Sequence, residues 1–191
     1  AEAMLASRFN TPDTTIVDHR TYVLASDGDL MEGISHEAFS LAGHLKLNKL
    51  IALYDSNRIT IEGCTDLAYS DDVRKRFESY HWNVIEADGH SYAEVDAALT
   101  KAKQEQERPT LILARTTIAK GSPNMEGSAE SHGAPLGNDE VKATKKNLGF
   151  PEDSFLHVPE EVRAQFAQRG RELDAERKEW EKNLRRYRKK Y

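Results

Sequence analysis

Thr21 to Asn57 reads TYVLASDGDLMEGISHEAFSLAGHLKLNKLIALYDSN, and the fold turns on how that stretch divides. Tyr22 to Ala25 and Leu50 to Tyr54 are short, nearly continuous apolar runs. The first is closed by Ser26-Asp27-Gly28-Asp29, the second by Asp55-Ser56-Asn57. Continuous runs, unlike alternating ones, mark strands covered on both faces, as in a parallel sheet. Between them Ile34, Ala38, Leu41 and Leu45 fall at i, i+4, i+7 and i+11, one stripe of an amphipathic helix that follows Gly33. Trp82 to Ile85 and Leu111 to Ala114 are two more runs of the same kind, with helical patterns at Val73 to Tyr80 and Tyr92 to Lys103. Strands alternating with helices predict an α/β fold: an open, mostly parallel sheet flanked by helices, with right-handed crossovers.

Around this centre the text changes character. Ala1 to Arg8 is a helical stretch already under way with no capping residue before it, as expected of a chain cut from something longer. Thr116 to Gly137 holds four glycines and two prolines and predicts a long loop, which in a compact domain usually has a function. Pro159-Glu160-Glu161 is a good helix start, with acids at the positive dipole end. Phe166, Leu173, Trp180 and Tyr187 then recur every seven residues, with Val162, Leu184 and Tyr191 filling in. That predicts a long C-terminal helix with a narrow apolar seam, relaxed at Gly170. The expected division is an α/β domain over residues 1–158 and a long amphipathic helix over 159–191 that leads to a missing second domain.

Bulk properties narrow the function classes. The 191 residues fit one domain, and 38% hydrophobic content builds a modest core that leans on something else. A net charge of -5 gives no general attraction to nucleic acid or to an anionic membrane. The basic close, Arg185 to Lys190, reads as a solvated helix face at the favourable dipole end and not as an RNA site. No apolar run is long enough to cross a bilayer, and no leader opens the chain. The lone Cys64 cannot form an internal disulfide and reads as structural, which makes a reducing cytoplasm the simplest location.

In open α/β sheets ligands sit at the carboxyl ends of strands. Asp27-Gly28 closes the first strand and Asn57 the second, thirty residues on, so neighbouring strands would bring both to one sheet edge. An aspartate, an amide oxygen and a main-chain carbonyl suit magnesium, which takes about six oxygen ligands and leaves several places for phosphate and water. Glycine after the aspartate lets backbone approach a phosphate. A lone Asp-Gly after a strand is by itself an ordinary turn. No G-x-G-x-x-G opens any helix, which sets a dinucleotide domain aside.

The whole text carries more. Asp27-Gly28, Met31-Glu32-Gly33-Ile34-Ser35-His36-Glu37, Ser40-Leu41-Ala42-Gly43 and Tyr54-Asp55-Ser56-Asn57 resemble the thiamine diphosphate motif of transketolases. Thr116 to Asn124 and Ser131-His132-Gly133-Ala134-Pro135-Leu136-Gly137 resemble the same family. The resemblance runs in order from residue 1 to about 150, and the tail matches in character. It implies a thiamine diphosphate-binding fold in which Asp27, Asn57 and the Ile59 carbonyl bind Mg2+ or Ca2+ and Gly28 contacts the diphosphate. It also makes Asn57 and His132 cofactor neighbours, with His132 the proton-handling candidate. Glu32 corresponds to an acid linking subunits across a dimer interface, or else is a plain helix-start acid. Lys120 reads as a solvated loop lysine. Ser26 stands where the family usually has glycine, and its hydroxyl is a candidate phosphate contact.

The implied activity is transfer of a two-carbon ketol unit from a ketose phosphate to an aldose phosphate. The implied partners are sugar phosphates and a second subunit, as a homodimer or a complementary chain. The family's cofactor-activating glutamate and further histidines and arginines lie outside these residues, so the chain alone is expected to turn over nothing. The competing readings are a related enzyme, such as dihydroxyacetone synthase or deoxyxylulose phosphate synthase, or a non-catalytic interaction module on the same fold.

Overall fold

The computed structural model describes residues 1–191, which fall into two compact units: Arg20–Glu152, and Ala1–His19 together with Asp153–Tyr191. The first nineteen residues fall in one unit with the C-terminal helix.

In the larger unit, β1 (Thr21–Ser26) leads through α2 (Asp27–Met31) and α3 (Gly33–His44) to β2 (Leu50–Ser56). A small antiparallel hairpin follows, β3 (Ile59–Thr60) with β4 (Gly63–Cys64). Then come α4 (Val73–Ser79), β5 (Asn83–Asp88), α5 (Tyr92–Gln104), β6 (Thr110–Arg115) and α6 (Asn138–Asn147). The main sheet is parallel throughout, in the order β1-β2-β6-β5. The α/β expectation holds, and the two strands that matter are neighbours, with Ser26 in register with Asp55.

One sheet face is dense. Ala25, Ala52, Tyr54 and Leu111 meet an aromatic cluster from α3, α4 and the turn beyond. Phe39 and Phe77 lie 4.8 Å apart between ring centroids, and Trp82 stands edge-on to both at 5.2 and 5.3 Å. Such edge-to-face pairs add to plain burial. Trp82 belongs to this cluster and not to the strand in which its apolar run placed it. His81 takes a left-handed φ of 64°, and the chain turns Trp82 inward before β5 begins at Asn83. There its indole N–H donates to the Phe39 carbonyl at 2.9 Å.

The second face is covered by α5, with Ile51, Ile112 and Ala87 against Ala98 and Ala102. That cover does not reach β1, where Leu24 is 82% exposed. Cover on both faces therefore holds for β2 and β6 and fails at β1. The stripe on α3 likewise points outward: Ile34 is 69% exposed and Leu41 and Leu45 are open, while Ser35, Ala42 and Gly43 face inward. Small residues are needed there because a Cβ on Gly43 would stand 1.8 Å from the Tyr80 carbonyl oxygen.

The segment after β6 is a long irregular loop, as expected, but it is tied down. The Glu140 carboxylate of α6 accepts from the Asn124 N–H at 2.9 Å, the Asn124 side-chain amide at 2.8 Å and the Ser122 hydroxyl. These donors, Asn124 foremost, hold the Glu140 carboxyl below the usual range.

In the smaller unit, α1 (Glu2–Phe9) precedes an extended stretch, and α7 (Glu160–Lys190) runs unbroken through Gly170. Trp180 donates its indole N–H to the Ile16 carbonyl at 2.9 Å, and Asp13 is paired with Lys190 and Tyr191. Phe166, Leu173 and Trp180 of the heptad seam remain exposed.

Candidate functional site

The sheet edge at the tips of β1 and β2 is built around one carboxylate. Asp27, 3% exposed, opens α2 directly after β1. Its Oδ1 accepts the Tyr54 hydroxyl at 2.6 Å, and its Oδ2 accepts the main-chain N–H groups of Asn57 at 3.1 Å and Arg58 at 3.0 Å. Burial, and then the bond to Asp27, push the Tyr54 phenol above its ordinary value, so it stays a donor. The Asn57 side-chain oxygen accepts the Ile59 N–H at 2.9 Å and so fixes the entry to β3. Asp27, Tyr54, Asn57 and Arg58 line a cleft of about 780 Å³ at this edge.

The donor set can be compared with the group the sequence implied. An ionised carboxylate offers about four lone-pair sites, and three are taken by hydrogen bonds. The one remaining, on Oδ1, allows single-oxygen ligation. Asn57 likewise keeps one lone pair on its amide oxygen. No lysine or arginine pairs with Asp27, so a buried carboxylate stands without a counter-charge of its own, a costly state that a bound cation relieves. No group of three or more His, Cys, Asp or Glu side chains is placed to hold a metal ion between them. A cation here would draw on one carboxylate, amide and main-chain oxygens, and the ligand's own phosphates, which is the hard-oxygen habit of magnesium. Gly28 has nothing within 4 Å of the place a Cβ would take, and its φ is not left-handed. Neither packing nor backbone demands glycine there, so the open space suits a bound group. The residues fit.

The other expected site residues are placed differently. Glu32 caps the start of α3, exposed and with no side-chain partner, and its carbonyl accepts the Ser35 hydroxyl at 2.7 Å. Ile59 enters the cluster through its N–H, as above. His132 ends the short 3₁₀ turn Ala129–Ser131, exposed, with no side-chain partner and outside the walls of the Asp27 cleft. Ser26 spends its hydroxyl and its N–H on the Asp29 carboxylate, both at 2.8 Å. That is the acid half of a capping box, and it turns the hydroxyl away from the role of phosphate contact. Lys120 is paired with Glu126 at 2.7 Å and is not a free solvated lysine. Tyr54 was missed as a site residue. Its signal was an alternate position in β2, one residue before Asp55, which the apolar run disguised.

A parallel sheet carrying a buried aspartate and a glycine at one strand tip, with an asparagine at the next, places these residues where open α/β domains take their ligands, at the carboxyl ends of the strands. The family described as "Transketolase, thiamine diphosphate binding domain" matches residues 1–191. The chloroplastic transketolase of Solanum tuberosum is 49% identical over the whole chain, which covers 26% of that protein. The transketolase structure from Leishmania mexicana superposes over the whole chain with a TM-score of 0.95 at 40% identity, the chain covering 28% of it. A Pichia stipitis transketolase in complex with sedoheptulose-7-phosphate gives a TM-score of 0.94 at 40% identity, with the same coverage. The chain belongs to the transketolase family, as its thiamine diphosphate-binding domain, and spans about a quarter of the length of these relatives.

Proposed function

We propose that this chain supplies the metal and diphosphate anchor of an enzyme that moves a two-carbon ketol unit from a ketose phosphate to an aldose phosphate. The carrying observation is the buried Asp27, held by Tyr54 and two main-chain N–H groups beside an open Gly28 and Asn57. Thiamine diphosphate, when bound, supplies the nucleophilic carbon and the electron sink for carbon–carbon cleavage. The protein's part is position and electrostatics. Asp27, the Asn57 amide oxygen and the Ile59 carbonyl would hold Mg2+, or Ca2+ in its place, and Gly28 would let backbone approach the diphosphate.

His132 presents an imidazole with no partner, suited to taking or giving a proton at a sugar hydroxyl. Glu32, exposed and unpaired, suits a contact across a homodimer. The Pichia stipitis relative with its bound ketose phosphate supports sugar phosphates as substrates. The exposed, unpaired Cys64 suits a reducing compartment such as the cytoplasm, although the potato relative is chloroplastic.

Calorimetric titration of the protein with thiamine diphosphate and magnesium chloride tests the reading. Saturable uptake that needs both components and is lost in Asp27→Asn is expected, and heat unaffected by that substitution overturns it. The isolated 191 residues are expected to show no turnover with xylulose 5-phosphate and ribose 5-phosphate.

A further inference from the structure

Helix α2 carries Asp27 and Gly28 on five residues, far too few to hold a helix by themselves. Its geometry comes from clamps at its two ends. At the first end Asp27 is gripped by Tyr54, Asn57 and Arg58. At the other, the Leu30 carbonyl accepts from Arg76 Nη1 at 3.1 Å and from the Ser35 hydroxyl at 3.2 Å. Arg76 reaches there from α4, forty-six residues along the chain.

The Arg76 side chain is nine-tenths buried. Its Nη1 also stands 3.2 Å from His36 Nε2 and 3.5 Å from Asp71 Oδ2, while Nε and Nη2 have no partner. Its guanidinium lies 5.5 Å from the Phe77 ring centroid and 5.9 Å from that of Tyr69. With Nη1 donating to His36 Nε2, the imidazole proton sits on Nδ1 and points to the Tyr80 hydroxyl 2.9 Å away. A guanidinium so deep, with two nitrogens unpaired, is expensive, and a methionine would fill the space more cheaply. What methionine lacks is a donor for the Leu30 carbonyl and a positive charge at the C-terminal end of α2.

We propose that Arg76 is a positioning residue for the diphosphate anchor, fixing the far end of α2 so that Asp27 and Gly28 meet the ligand in one orientation. This rests on the reading of the Asp27 edge given above, and the test separates the two. Hydrogen exchange on the ligand-free protein would follow the amides of Leu30 to Glu32 in wild type, Arg76→Met, Arg76→Lys and the surface control Lys75→Met.

In Arg76→Met those amides are expected to exchange about tenfold faster while β2 and β6 are unchanged. Apparent affinity for thiamine diphosphate with magnesium chloride falls about tenfold in the same variant. Lysine, which keeps the charge without the planar fork, restores part of both, and Lys75→Met changes neither. Unchanged exchange at Leu30 to Glu32 overturns the proposal. So does acceleration spread equally through β2 and β6, or local acceleration with full affinity. If wild type takes up no cofactor, the anchor reading fails, and the positioning role toward that ligand falls with it even where the exchange contrast stands.

Discussion

Asp27 and His132 come from stretches that resemble the same family, yet the structure treats them in opposite ways. Asp27 is 3% exposed and its carboxylate accepts three hydrogen bonds from its own domain. His132 is exposed at the end of a 3₁₀ turn and its side chain makes no hydrogen bond or ion pair. Anchoring a cation needs fixed oxygens before the ligand arrives, so preorganisation is built by short-range packing of β1, β2 and α2. Moving a proton needs a ring at the right place only once substrate is bound. On the function proposed above, one residue is folded into its role, and the other is left to be positioned by what binds.

Removing the preorganised group gives the largest effect. Asp27→Ala strands the Tyr54 hydroxyl and two main-chain N–H groups in a buried site, and is expected to lower unfolding free energy by about 3–5 kcal/mol in urea titrations. Asp27→Asn sharpens the contrast. Its amide oxygen can still accept from Asn57 and Arg58 while the Tyr54 hydroxyl turns to accept, so stability is expected within about 1 kcal/mol of wild type. Cation uptake is lost all the same. An Asn variant as unstable as the Ala variant would mean that the charge, and not the hydrogen-bond pattern, holds the tip together.

Tyr54 gives a smaller and pH-dependent effect. Folding raises the phenol above its ordinary value of 10.0, through burial and then the bond to Asp27. The contribution is therefore fully present below pH 10.0 and declines as the pH rises above it, because the unfolded phenol ionises while the folded one does not. The decline has a limiting slope of about 1.4 kcal/mol per pH unit. Tyr54→Phe is expected to cost about 1.5–3 kcal/mol near neutrality and to flatten the alkaline fall in stability. Denaturation series at pH 8 to 11 in both proteins measure it, and parallel curves would remove Tyr54 from the anchor.

How much of this was legible follows from which residues carry their meaning locally. The four strands of the main sheet were readable because each is a continuous apolar run, whereas the neighbouring of β1 and β2 was only a condition in the sequence and is supplied by their register. Helix α2 was not, since Asp27-Gly28-Asp29 has neither periodicity nor propensity, and its bonds to Tyr54, Asn57, Arg58 and Arg76 come from elsewhere in the chain. Helix α6 escaped notice because its ten residues carry few apolar side chains and its role is to hold Ser122 and Asn124 through Glu140. On α3 the sequence pattern marks the wrong face as core. Ile34, Leu41 and Leu45 look outward because Gly43 and Ala42 must let the helix approach Tyr80 and Trp82. Periodicity locates a stripe, but close backbone packing selects small residues, and these leave no hydrophobic signal.

The weakest structural effect belongs to His132, and it is the sharpest test of the opening contrast. An exposed imidazole with no partner contributes little to the fold, so His132→Ala is expected to change unfolding free energy by no more than about 0.5 kcal/mol. Calorimetric uptake of thiamine diphosphate with magnesium should also be kept, because the ring stands outside the cleft around Asp27. In the full-length protein the same substitution is expected to lower turnover roughly a hundredfold or more, the usual worth of a positioned acid or base. The pattern to look for is therefore stability and cofactor binding retained with turnover lost, the reverse of what Asp27→Ala does to stability. A His132→Ala protein that unfolds early would show that its loop depends on the ring. One that turns over normally would leave proton transfer to some other group.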